Sequence, residues 1–214
     1  MRFQAVIFDM DGLLMDSERV GLEIMPQCGF LQGYDIPAAM VRETIGSNRQ
    51  SSSNFYHRFF PDLDTDRLFS DFKNAMCDLA RQGKIPLKAG ARELLDTVKS
   101  RHIPMAVASS SGESTIRVYL ESAGILSYFN TLVTGSGLPS KPAPDVFLKT
   151  AAALNVQPEN CLVLEDSIHG VQAGRAAGMT VAMIPDMIPY TEDLKPYCDH
   201  VLPDLSAVIP LLPA

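Results

Sequence analysis

Cysteine is scarce. The 214-residue chain has four, at positions 28, 77, 161 and 198, too scattered for a disulfide framework or a cysteine metal site. No two form a Cys-x-x-Cys pair and none adjoins a histidine, so they read as small buried residues in a reducing compartment. Long apolar runs are absent too. Nothing approaches the roughly 18 consecutive apolar residues of a membrane span. The first run, Ala5 to Phe8, is cut by Asp9 and Asp11 too early for a signal peptide, so the expected location is the cytoplasm. Positive charge is also short: 18 Lys and Arg face 25 Asp and Glu, a formal net charge of −7. That balance argues against duplex nucleic acid or an anionic membrane surface as partner. Taken alone it would argue against a phosphorylated substrate as well. Internal repeats and low-complexity segments are missing.

What is present is a recurring pattern. Short apolar runs without polar alternation occur at Ala5 to Phe8, Met105 to Ala108, Thr131 to Val133, Cys161 to Leu164 and Val181 to Ile184. Such runs read as strands buried on both faces of a parallel sheet. Helical spacing predicts helices between them at Ala91 to Ser100, Ser114 to Ala123, Asp145 to Leu154 and Val171 to Ala177. A further strand at His200 to Leu202 and a short helix from Leu205 are expected near the end. Strand alternating with helix implies an α/β fold, an open parallel-sheet, Rossmann-like core.

One spacing departs from this rhythm. Between Phe8 and Met105 lies a gap far longer than a crossover helix needs. It has no convincing strand, but helical segments are expected at Glu18 to Met25, Ala38 to Thr44, Asn54 to Phe60 and Asp66 to Arg81. This reads as an all-helical cap of residues 17–82, inserted into a catalytic core formed by 1–16 and 83–214.

Ligands of open parallel sheets bind beyond the carboxyl ends of the strands. There the chain carries Asp9-Met10-Asp11-Gly12, Ser109-Ser110-Ser111-Gly112 and Glu165-Asp166-Ser167, with Lys141-Pro142 ahead of the helix after the third strand. Singly, each reads as a turn, a helix cap or a surface charge; together they gather four carboxylates, hydroxyls and a lysine on one edge. Four close carboxylates need protons or a hard cation, and oxygen ligands with waters suit Mg²⁺. An aspartate can attack phosphorus to give an aspartyl-phosphate, and a second can give and take the proton.

The motifs DMDG, SSSG, SKPAPDVF and EDSIHGVQAGRAAGM, in this order, resemble the haloacid dehalogenase-like superfamily of phosphotransferases over essentially the whole chain. The resemblance implies Asp9 as nucleophile, Asp11 as general acid and base, and Ser109 and Lys141 as phosphate holders. It implies Mg²⁺ as cofactor, bound by Asp9, the Asp11 backbone carbonyl, Glu165 and Asp166. Ser110 adds a substrate contact. The insertion resembles the helical cap of the branch containing β-phosphoglucomutase and sugar-phosphate phosphatases, in which a cap-loop arginine reaches the substrate's far end. Arg49 fits that role, and Lys73 is a second candidate.

Two departures bear on the reaction. Where β-phosphoglucomutase has a cap histidine and a lysine after its serines, this chain has Gly21 and Gly112. Losing two contacts to a bisphosphate favours hydrolysis. DMDGLLMDSER and SSSG resemble phosphatases of the branch, including pseudouridine-5′-phosphate phosphatases. The expectation is therefore a phosphatase of a small phosphorylated metabolite, acting as a monomer. A phosphomutase is the alternative; a metal-independent dehalogenase and a binding module rank below both.

Overall fold

The computed structural model describes residues 3–213. Six strands form one parallel sheet: β1 (Ala5–Phe8), β2 (Met105–Ser109), β3 (Thr131–Thr134), β4 (Cys161–Glu165), β5 (Thr180–Met183) and β6 (His200–Val201). Their order is β3-β2-β1-β4-β5-β6. The chain winds outward from β1 in both directions, so a topological switch point lies at the centre of the sheet.

Each apolar run became a strand because both faces of the sheet are covered. Successive side chains point to opposite faces. Val6 and Phe8 of β1 join one buried cluster with Leu94, Leu95 and Val98, while Ala5 and Ile7 join another with Phe147 and Val171. The crossover helices are α5 (Ala91–Ser100), α6 (Glu113–Ser122), α7 (Asp145–Leu154) and α8 (Ile168–Ala176). The last segment, expected as a helix from Leu205, is a 3-10 turn over Leu205–Leu211 that contains Pro210.

Between β1 and α5 run α1 (Ser17–Phe30), α2 (Ala38–Arg42), α3 (Arg49–His57) and α4 (Thr65–Arg81). They enclose a cluster of their own, with Met25, Ile36, Val41, Tyr56 and Leu68 buried. Met76, Cys77 and Ala80 of α4 instead pack into the cluster on the sheet. Helix α3 starts five residues before the expected Asn54, because the Asn48 side chain accepts from Ser51 N–H at 2.9 Å and caps it at Arg49. The strand leaving the sheet and the one returning lie side by side: Asp16 N–H donates to Pro86 O at 2.9 Å and Lys88 N–H to Leu14 O at 2.9 Å. Among the described residues no helix is long and apolar enough to cross a membrane, and all four cysteines are free thiols.

Candidate active site

Register explains why the motif residues meet. Phe8 pairs with Leu164 on one side and Val107 on the other. The next residues, Asp9 and Glu165, therefore emerge together at the sheet edge, and Ser109 follows on the neighbouring strand. Lys141 arrives from the loop before α7. Its Nζ lies 2.6 Å from Asp9 Oδ1 and 2.6 Å from Glu165 Oε1. The same ammonium reaches Ala108 O at 3.4 Å and sits 4.9 Å from the centre of the Phe147 ring. Burial opposes the lysine's charge, but Asp9 and Glu165 outweigh it and raise the pKa. Asp9 is pushed up to about 7 by burial, against the pull of Lys141 and with the help of Glu165 and Asp11.

Glu165 is fully buried and both its oxygens are engaged. Oε1 faces Lys141, and Oε2 accepts from Asp166 N–H at 3.0 Å, Ser167 N–H at 3.1 Å and Ser167 Oγ at 3.0 Å. The carboxylate occupies the space a Cβ at position 170 would fill, which leaves glycine there. Expected as a metal ligand, Glu165 here ties Lys141 to the loop after β4 through both oxygens, with Lys141 the one protein donor on Oε1 among the described residues. Asp166 differs: it is buried, and among the described residues no donor reaches its carboxylate. That carboxylate lies where a Cβ of Gly12 would be, and Gly12 has a φ of +80°. Glu18 leans on the same glycine.

Asp11 turns toward α1. It accepts from Ser17 Oγ at 2.8 Å and Ser111 Oγ at 2.9 Å, with Ser109 Oγ at 3.5 Å. Burial raises its pKa and the two nearer hydroxyls temper the rise. Ser109 is buried and accepts from Ser111 N–H at 3.0 Å, while Ser110 faces the open space above.

Two adjoining cavities meet at this edge. One, of about 480 Å³, lies over Asp9, Ser109, Lys141 and Asp166. The other, of about 450 Å³, lies under the helices and is lined by Phe69, Phe72, Met76 and Tyr119. Asp11, Glu18, Ser110 and Arg49 border both. Arg49 is half-way out in solvent, 2.8 Å from Asp66, and its guanidinium lies 5.1 Å from the Phe69 ring centre. Lys73 lines the second cavity only.

Three residues at this edge carried no expected role. Ser17 and Ser111 hold Asp11, and Glu18 borders both cavities. Burial, then Asp11 and Asp186, push Glu18 up to about 8. The sequence signal was available for the first pair: Ser17 opens a helix six residues after Asp11, and Ser111 lies two after Ser109.

The donor set fits a hard cation. Among the described residues no three acidic, histidine or cysteine side chains form a complete metal cage. Asp166, with no protein donor, and the remaining oxygen of Asp9 are the available carboxylates. One or two carboxylates with waters and substrate oxygens is how Mg²⁺ is usually held.

A family model described as haloacid dehalogenase-like hydrolase matches residues 6–184. The fructose-1-phosphate phosphatase YqaB of Escherichia coli K12 is 35% identical over 185 residues, 83% of this chain and 94% of that protein. A Drosophila melanogaster protein named "Probable pseudouridine-5′-phosphatase" is 30% identical over 187 residues, 84% of this chain and 80% of its own. Among solved structures, CbbY from Rhodobacter sphaeroides in complex with phosphate superposes with a TM-score of 0.81 at 21% identity, covering 96% of each chain. The β-phosphoglucomutase of Clostridium difficile gives 0.78 at 24% identity, covering 96% of this chain and 93% of that one.

Proposed function

The chain belongs to the haloacid dehalogenase-like hydrolases, and from that premise we propose that it hydrolyses a small phosphomonoester, a sugar or nucleoside phosphate, through an aspartyl-phosphate on Asp9. The observation that carries this reading is the contrast among the four acids. Asp9 and Glu165 share Lys141, Asp166 has no protein donor among the described residues, and Asp11 is held by hydroxyls at the border of the two cavities.

In the proposed cycle the phosphoryl group lies over Asp9, with Lys141 and Ser109 against its oxygens. The Asp9 carboxylate attacks phosphorus, and the bond to the leaving alcohol breaks. Asp11 gives its proton to the leaving oxygen, and its raised pKa suits a donor. The Asp11 carboxylate then takes a proton from water. That water attacks phosphorus, releases phosphate and restores Asp9. Asp9, Asp166 and the Asp11 carbonyl would hold Mg²⁺, whose charge would offset that of the phosphoryl oxygens. Residues 17–82 act as the cap that excludes water above the core of 1–16 and 83–214, and Arg49, Lys73 and Ser110 contact the rest of the substrate.

Hydrolysis has more support than phosphoryl transfer within a sugar. A mutase must grip a second phosphate, and positions 21 and 112 offer no side chain for it; the ring of Phe72 lies 3.2 Å from where a Cβ of Gly21 would stand. The test is phosphate release from a panel of phosphorylated metabolites, with EDTA and after Mg²⁺ is restored. Turnover should stop with EDTA and return with Mg²⁺. Turnover indifferent to both, or a β-glucose 1-phosphate converted to the 6-phosphate without free phosphate, overturns the reading.

A further inference from the structure

Asp11 moves the protons of the proposed cycle, and Ser111 is one of the two nearer hydroxyls that hold it. What fixes Ser111 comes from another loop. Resting on the phosphatase reading, we propose that Thr134, at the end of β3, is a positioning residue for this reaction: it holds the turn after β2 so that the Ser111 hydroxyl stays on Asp11.

The parallel register of β2 and β3 sets Thr134 beside Ser109. Thr134 Oγ1 donates to Ser111 O at 2.7 Å and accepts from Ser136 N–H at 3.0 Å. The next residue adds a bond, from Gly135 N–H to Ser109 O at 2.8 Å. The two loops approach closely there, since a Cβ on Gly135 would stand 3.4 Å from Ser110 Cα. The turn after β2 is thus tied to the loop after β3 at Ser109 and again at Ser111.

Ser111 is held on both sides of its Cα. Its N–H donates to Ser109 Oγ at 3.0 Å, and its carbonyl accepts from Thr134. With the backbone fixed, the side-chain torsion alone aims Ser111 Oγ, which donates to Asp11 Oδ2 at 2.9 Å. A hydroxyl has one proton to give. The bond that Thr134 accepts from Ser136 orders its own loop. The bond it donates crosses to the turn that carries Ser109 and Ser111. Thr134 lines neither cavity, so it acts through Ser111 and not on the substrate. Valine at 134 keeps the shape and the strand preference but neither donates nor accepts.

The experiment uses leaving groups that differ in their need for a proton. The full chain with Mg²⁺ is given fructose 1-phosphate and ribose 5-phosphate, whose alkoxides need protonation, and p-nitrophenyl phosphate, whose phenolate needs little. The readout is kcat/KM, which covers the steps up to loss of the alcohol. Thr134→Val should lower it about tenfold for the alkyl esters and about threefold or less for the aryl ester. Thermal melting shows whether the variant is folded, and Thr134→Ala should give the same pattern. Thr134→Ser, which keeps the hydroxyl, should stay within about twofold of the parent for all three. In a Ser111→Ala background, Thr134→Val should add no more than about twofold, because the link it supports is already gone.

Equal losses for alkyl and aryl esters overturn the proposal, as do full additivity with Ser111→Ala and a serine variant as impaired as the valine one. Folded valine and alanine variants with unchanged kcat/KM overturn it as well. Turnover of the aryl ester alone overturns the proton transfer given to Asp11, and this proposal with it. Turnover of none of the three by the parent chain overturns the phosphatase reading itself.

Discussion

The two halves of the site are built differently. At the sheet edge most side chains are tied down: Lys141 bridges two acids, Glu165 takes four donors, and Asp11 is held by hydroxyls from two elements. Beneath the helices the contacts are single or apolar. Arg49 has one exposed carboxylate partner, and Met25, Met76, Phe69 and Phe72 in the wall can repack. A phosphoryl group is the same in every substrate and rewards fixed geometry. On the proposed reading the alcohol is the part that varies, and the wall that would meet it includes adaptable groups.

Substitutions at the sheet edge should therefore outweigh those beneath the helices. Asp9→Asn should cut phosphate release by about a thousandfold or more in a protein that still folds; retained turnover would remove the nucleophile from the scheme. Lys141→Met leaves Asp9 and Glu165 buried together without their cation, and urea unfolding should show a loss of about 3–5 kcal/mol. Ser111→Ala removes one of the hydroxyls on Asp11 and should lower kcat by about tenfold while costing about 1 kcal/mol of stability. Arg49→Ala breaks an exposed pair with Asp66 and an exposed contact with the Phe69 ring, so its stability change should stay at about 1 kcal/mol or less. An Arg49 variant as damaging as the Lys141 variant would erase the contrast.

Acidity tests the same contrast from another side. In EDTA, buried Asp9 and Glu18 titrate at about 7 and about 8, above their ordinary values. The folded chain then keeps protons that the unfolded chain releases. The stability they contribute is complete below about pH 4 and is lost as pH rises through about 7 to 8. Glu18→Gln should flatten that fall, seen as a melting temperature that changes less between about pH 5 and pH 9. A steeper fall in the variant would exclude Glu18 as its source.

Local patterns made much of this legible. The run Ala5 to Phe8 and the stripe of α5 each coincide with the observed element, because one local signal decided each. Helix α3 began earlier than expected because Arg49 to Asn54 has no apolar stripe and the Asn48 cap sets its start. Two adjacent acids after β4 read alike in the sequence, and their side chains take different directions. Glu165 turns to Lys141 and the following N–H groups, and Asp166 to Gly12. Sequence spacing carries no record of that direction. Nor does it show that Ser17, on the first helix, and Ser111, after β2, close on one carboxylate from opposite sides.

The paired crossings at Leu14–Asp16 and Pro86–Lys88 have a consequence for how such a protein diversifies. The chain leaves the sheet and returns to it at one point, joined by two backbone hydrogen bonds of 2.9 Å. Everything between is one insertion through that seam, which also rests on the sheet cluster through Met76, Cys77 and Ala80. On the proposed reading, changing that stretch would alter what the site admits while β1 and Asp9 keep their register against β4. Any replacement would have to supply again the hydroxyl that Ser17 gives Asp11, so one helix start ties the two parts together.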